Sequence, residues 1–164
     1  MPDHAELKTV ASVDLPRYMG TWYEIARLPM RHEPEEASDI SATYALEDDG
    51  SVEVRNRMRH KGEVEESVGR ATASDDSGSR LEVSFLPQGL RWIPFTRGDY
   101  WIIALDPAYT VALVGSPDRK YLWLLAREPG LDPVTCDHHL AIARQQGFDL
   151  APLIQTPHTG DPTA

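Results

Sequence analysis

The chain has 164 residues, 41% of them hydrophobic, with 26 acidic against 16 basic side chains and a formal net charge of −10. That length suits one domain, 1–164, with a core of its own. The acidic balance argues against nucleic acid as a partner and against adsorption to anionic lipid, since both need clustered Lys and Arg.

The single cysteine, Cys136, excludes an internal disulfide. Residues 1–13 hold no apolar stretch flanked by basic residues, so no signal peptide or lipidation Cys is expected. The chain is therefore expected to be cytoplasmic, or periplasmic if a leader has been removed. Residues 1–13 and 157–164 are expected to be flexible. No apolar run approaches the length of a membrane-spanning helix.

Short β-type segments follow one another, separated by turn residues. Thr21 to Leu28 is the first. In Ile40 to Leu46, alternate residues Ile40, Ala42, Tyr44 and Leu46 share a face. Asp48-Asp49-Gly50 reads as a hairpin turn. Ser51 to Lys61 alternates most cleanly: Val52, Val54, Asn56, Met58 and His60 on one face, Glu53, Arg55, Arg57, Arg59 and Lys61 on the other. Long charges gathered on one side of a period-two pattern predict a half-buried strand. Glu63 to Ala73 is a weaker strand, and Leu81, Val83 and Phe85 alternate after it. Three apolar segments come later: Tyr100 to Leu105, Tyr109 to Gly115 and Tyr121 to Arg127. A helix is predicted next, with Asp132 as N-cap, Pro133 in its first position and Gly147 just past its end. Ala151 to Gln155 offers one more short strand.

Three motifs occur in order along this pattern. Gly20-Thr21-Trp22, within the string GTWYEIAR, resembles the G-x-W signature of the lipocalin family, in its bacterial, plant temperature-induced and apolipoprotein-D-like branch. Asp106-Pro107-Ala108-Tyr109 resembles the family's Asp-Tyr turn with one extra residue. Arg127, ending YLWLLAR, resembles the late Arg of the last barrel strand. The resemblance implies an all-β, eight-stranded up-and-down antiparallel barrel with one C-terminal helix packed outside. It also implies a helical turn at Leu15 to Met19 crossing the closed end. Gly20, Trp22, Arg127, Asp106 and Tyr109 would close that end. An indole is large enough to plug it, and a guanidinium can lie over the ring while donating to stray carbonyls.

Such a barrel has an interior just wide enough for a small ligand. Alternation places Ala26, Leu28, Ala42, Tyr44, Asn56, Met58, His60, Tyr121, Trp123 and Leu125 inward. Tyr100 and Ile102 join them, although Trp101 and Ile103 are equally apolar. The resemblance supports Tyr44, Asn56, Tyr100 and Trp123 in particular. This aromatic and aliphatic lining suits an acyl chain or a flat apolar ring, and the resemblance implies that fatty acids, lysophospholipids or similar lipids are carried or scavenged there, in membrane maintenance or stress protection. No metal and no cofactor is implied: His138 and His139 are adjacent, which is not ligand spacing, and His60 reads as a hydrogen-bonded polar residue. The loop Leu86 to Gly98 carries Leu90, Trp92, Ile93 and Phe95 beside Arg91 and Arg97. It reads as a lid, a dimer contact or a peripheral membrane contact. Catalysis is not expected. The alternatives are an isomerase or hydrolase using Glu24 as base, and a haem or tetrapyrrole binder.

Overall fold

A computed structural model describes residues 6–29, 37–85 and 97–158. Eight strands carry the fold: β1 (Gly20–Arg27), β2 (Ser38–Leu46), β3 (Val52–His60), β4 (Glu63–Ala73), β5 (Arg80–Phe85), β6 (Arg97–Leu105), β7 (Val111–Gly115) and β8 (Leu122–Ala126). Each pairs antiparallel with its successor, and β1 pairs with both β2 and β8, so the sheet closes on itself. This is the expected up-and-down barrel. Closure leaves no long unpaired edge among these strands.

A short helix α1 (Leu15–Tyr18) precedes β1, as expected for Leu15 to Met19, and α2 (Pro133–Gln145) follows β8. Asp132 caps α2 by accepting from the Thr135 N–H at 3.0 Å. A ninth strand, β9 (Ile154–Gln155), adds to β1 beside Ala26 and Arg27.

The strands bury two apolar groups. One lies inside the barrel and joins Trp22, Tyr44, Val54, Val83, Ile102, Val114 and Leu125. The other lies between the barrel wall and α2 and joins Ile103, Leu113, Leu122 and Leu124 to Leu140, Ala143 and Phe148. Burying one leucine fully is worth about 1.5–3 kcal/mol, so the helix-side group fixes α2 firmly. Gly115 makes that approach possible: a Cβ there would lie 2.7 Å from Cζ of Phe148 and 3.1 Å from Cδ1 of Ile103.

The described residues at each end of the chain carry contacts to the barrel. Residues 6–13, expected to be flexible, are packed: Leu7 is fully buried against the helix-side group, and Val10 N–H donates to the Ile102 carbonyl at 3.0 Å. At the other end, the Pro157 carbonyl accepts from Asp39 N–H at 2.9 Å, which ties the tail to β2. Apolar burial of Leu7 and a backbone hydrogen bond to β6 hold the first segment, and a backbone hydrogen bond to β2 holds Pro157.

Candidate functional site

The closed end is built around Trp22, which is fully buried. Its indole N–H donates to the Tyr18 carbonyl at 2.8 Å, so α1 and β1 are joined beneath the barrel. The Arg127 guanidinium lies 3.9 Å from the centre of the Trp22 ring. From there it donates to three carbonyls: Tyr109 at 3.1 Å, Thr21 at 3.2 Å and Arg17 at 2.9 Å. These belong to the turn before β7, to β1 and to α1. Gly20 has φ +100°, a conformation L side chains rarely adopt, and a Cβ there would lie 3.2 Å from an Arg127 nitrogen.

The turn before β7 is the other half of this end. Asp106 accepts from the Thr110 and Val111 N–H groups at 2.6 and 2.7 Å, and from the Thr110 hydroxyl. Burial pushes its carboxyl up, but these hydrogen bonds outweigh that and hold it below the usual carboxylate range. Tyr109, at φ +59°, accepts from Asp14 N–H at 2.9 Å through its hydroxyl, and the Arg17 guanidinium covers its ring at 4.1 Å. Gly20, Trp22, Arg127, Asp106 and Tyr109 therefore meet in one contiguous cluster.

Above them, the inward face holds Ala42, Tyr44 and Ile102, all buried, with Tyr100 and Trp123 partly buried. The choice on β6 is resolved: Tyr100 and Ile102 face inward, while Trp101 and Ile103 pack on the helix side. Asn56 stands opposite Ala42 on one side and Ser67 on the other. The Ser67 hydroxyl is buried and has no hydrogen-bond partner among the described residues. Met58 is fully buried, and His60, half-buried, ends β3 opposite Glu63. Tyr121 stacks on Trp123 with ring centres 6.1 Å apart. Leu15, Tyr18, Met19, Tyr44, Val54, Leu81, Val83 and Tyr100 are among the walls of a cavity of about 20 Å³.

Ala26 and Leu28 are corrections. Both lie in the helix-side group, not in the interior. The register of β1 against β8 shifts between Glu24 and Ala26, so Glu24 pairs Leu125 while Ala26 pairs Leu124. A bulge of this kind reverses the parity of every later residue on the strand. The same shift pairs Arg27 with Trp123, an inward residue, which alternation from Trp22 does not anticipate. Arg27 is fully buried and donates to the Glu24 carboxylate at 3.1 Å, and the Thr156 hydroxyl donates to the same oxygen. Burial pushes the Glu24 carboxyl above its ordinary range; the Arg27 charge, the Thr156 hydroxyl and His158 pull against that without cancelling it. The candidate base of the alternative reading is thus engaged on both sides.

Sequence reasoning also missed Tyr18, whose hydroxyl donates to or accepts from that of Tyr100 at 2.8 Å. A lone Tyr in a four-residue helix carries no periodic signal. Leu90, Trp92, Ile93 and Phe95 lie outside the described residues. Among the described residues, no three His, Cys, Asp or Glu side chains gather as metal ligands.

Comparison with known proteins bears on this geometry. A family model described as "Lipocalin-like domain" matches residues 13–158. Temperature-induced lipocalin-1 of Arabidopsis thaliana is 37% identical over 166 residues, covering 99% of this chain and 88% of the relative. Outer membrane lipoprotein Blc of Escherichia coli K12 is 39% identical over 154 residues, covering 92% and 82%. In three dimensions, insecticyanin from the tobacco hornworm Manduca sexta matches with a TM-score of 0.71 at 18% identity, over 96% of this chain and 87% of that one. These relatives overturn the expected cytoplasmic placement. Proteins named outer membrane lipoprotein Blc recur among them, in Citrobacter freundii and Vibrio cholerae as well. Compartment is set by sorting segments and attached lipid, which the residues of a folded barrel do not record.

Proposed function

The chain belongs to the lipocalin family, and from that premise we propose that its barrel carries fatty acids, lysophospholipids or similar lipids, in membrane maintenance or protection under stress. As a family member it binds or transports small hydrophobic ligands. The observation that carries the finer reading is the inward surface of Tyr44, Ile102, Tyr100 and Trp123, apolar and aromatic, beside Asn56 and the Ser67 hydroxyl, which has no hydrogen-bond partner among the described residues. Each methylene of an acyl chain moved from water onto such a surface gains about 0.8 kcal/mol. Ala42, Met58, His60 and Tyr121 complete the proposed lining. The cavity of about 20 Å³ has room for about one water-sized group, so a longer ligand extends from it toward the mouth.

The names of two relatives, one temperature-induced and one of the outer membrane, support the membrane and stress part of the reading. So does the composition of the Trp92 loop, whose Trp92, Ile93 and Phe95 stand between Arg91 and Arg97. Aromatic and basic side chains together favour the bilayer interface.

The test is displacement of an environment-sensitive fluorescent fatty acid by unlabelled acid at one site per chain, with mass spectrometry of what organic solvent extracts from fresh protein. Binding weakened by Trp123→Ala is expected. Failure of any acyl probe to bind removes the reading. Liposome flotation unchanged by Trp92→Ser with Phe95→Ser removes its membrane-contact part.

A further inference from the structure

We propose that Tyr18, Tyr44 and Tyr100 form a hydrogen-bond-donor site for the carboxylate of an otherwise apolar ligand, which therefore binds head first, its polar end toward the closed end of the barrel. This rests on the carrier reading above and adds the orientation and the head-group chemistry.

Three elements bring the hydroxyls together. Tyr18 comes from α1, Tyr44 from β2 and Tyr100 from β6. The Tyr100 oxygen lies 2.8 Å from that of Tyr18 and 2.8 Å from that of Tyr44. The rings hold one another: Tyr18 stacks on Tyr44 at 5.8 Å, and Tyr44 meets Tyr100 edge-on at 5.9 Å. Each hydroxyl owns one proton. A chain of three hydroxyls has two links, and two links consume two protons. Whichever way the chain runs, one O–H is left without an acceptor among the described residues. A buried donor in that state is unfavourable until something accepts from it.

The surroundings specify the acceptor. All three tyrosines wall the apolar cavity, whose volume of about 20 Å³ takes one group of about a water's size. Tyr100, the central member, is only partly buried although it faces inward, so the trio borders accessible interior. The cation whose field reaches Tyr18 and Tyr44 is Arg127, and no carboxylate of the described residues is among the charges acting on any of the three phenols. An ammonium head would meet a donor and a like charge there. A carboxylate meets a donor and an opposite charge. Burial raises all three phenols above their ordinary range, so at neutral pH they remain O–H donors.

The proton count makes an unusual test. Replacing both ends and the middle together (Tyr18→Phe, Tyr44→Phe, Tyr100→Phe) removes every donor, and because all partners go at once no hydroxyl is stranded. Replacing the middle alone (Tyr100→Phe) breaks both links and leaves two free O–H groups instead of one. We expect the triple variant to bind dodecanoic acid at least about tenfold more weakly, the worth of one hydrogen bond to a charged group, with dodecylamine unchanged. Tyr100→Phe is expected to bind dodecanoic acid as well as the parent or better. In carbon-13 NMR, the carboxyl resonance of bound 1-13C-dodecanoic acid is expected to shift in both variants. Acid and amine weakened alike, acid unaffected in the triple variant, or acid weakened by Tyr100→Phe each overturns the inference while leaving the carrier reading in place. If the parent protein binds neither molecule, the carrier reading fails first. Should the triple variant not fold, the carbon-13 spectrum of Tyr100→Phe decides: a shifted carboxyl resonance supports the inference, and a resonance identical to that in the parent overturns it.

Discussion

The guanidinium carbon of Arg127 lies over the indole of Trp22, 3.9 Å from the ring centre, and this contact ties the end of the last barrel strand to the first. Arg127 also donates to the carbonyls of Tyr109, Thr21 and Arg17. Removing it strands three acceptors and a cation–π contact together. Arg127→Met is expected to lower unfolding free energy by about 3 kcal/mol, at about 1 kcal/mol for each hydrogen bond. Arg127→Lys is expected to recover little of that, since an ammonium lacks the planar fork that reaches three directions. Urea denaturation of the three proteins checks this, and a loss under about 0.5 kcal/mol in the Met variant, the range of ordinary surface changes, contradicts it.

Asp106 ties the turn before β7 by accepting from two backbone N–H groups and the Thr110 hydroxyl. Its carboxyl is held below the usual range. A depressed acid contributes stability that is present above its unfolded pKa and lost as pH falls through its folded pKa. Asp106→Ala is therefore expected to cost about 1–2 kcal/mol at neutral pH. The gap between the two proteins should narrow as the buffer is made acid. A gap that holds constant down to about pH 2, below the ordinary carboxylate range, argues that the side chain acts by packing alone.

Where one face of a strand is wet and the other dry, its placement was legible. In β3, Glu53 and Arg55 point out, where Arg55 bridges Glu66 at 2.8 Å, while Val52 and Val54 point in. β6 was ambiguous for a physical reason: Ile102 fills the interior and Ile103 packs on the helix side, so both faces are dry and the alternation vanishes. The bulge in β1 was not legible at all. Glu24-Ile25-Ala26 contains no Gly, Pro or Asn to announce it, yet it sends Ala26 to the helix side and Arg27 inward. Tail residues 156–158 then occupy the side of β1 that β2 has left: Thr156 N–H donates to the Ile25 carbonyl at 3.0 Å.

That correction is testable. Ala26 is buried beside α2 rather than beside a ligand. Ala26→Phe is expected to overpack that layer and cost about 1–3 kcal/mol, with affinity for a fluorescent fatty acid changed less than about twofold, within the scatter expected for independent sites. Thermal unfolding and probe titration on the same preparation separate the two effects. Full stability with abolished binding would restore Ala26 to the interior.

Glu24 and Arg27 form a buried pair whose two members answer differently to removal. Arg27→Met leaves the Glu24 carboxylate without its cation, and about 3–5 kcal/mol of stability is expected to go with it. Glu24→Gln is milder, because the amide mimics the protonated acid. The sign of its pH dependence follows from burial, which raises the Glu24 carboxyl more than Arg27, Thr156 and His158 lower it. A raised acid holds its proton more readily folded than unfolded, so its contribution is complete below the unfolded pKa and declines as pH rises through the folded value. Stability of the parent minus that of Glu24→Gln is therefore expected to fall as pH rises above the ordinary carboxylate range, measured by urea unfolding at fixed ionic strength. A difference that grows with pH means that Arg27, Thr156 and His158 outweigh burial and lower the Glu24 carboxyl instead.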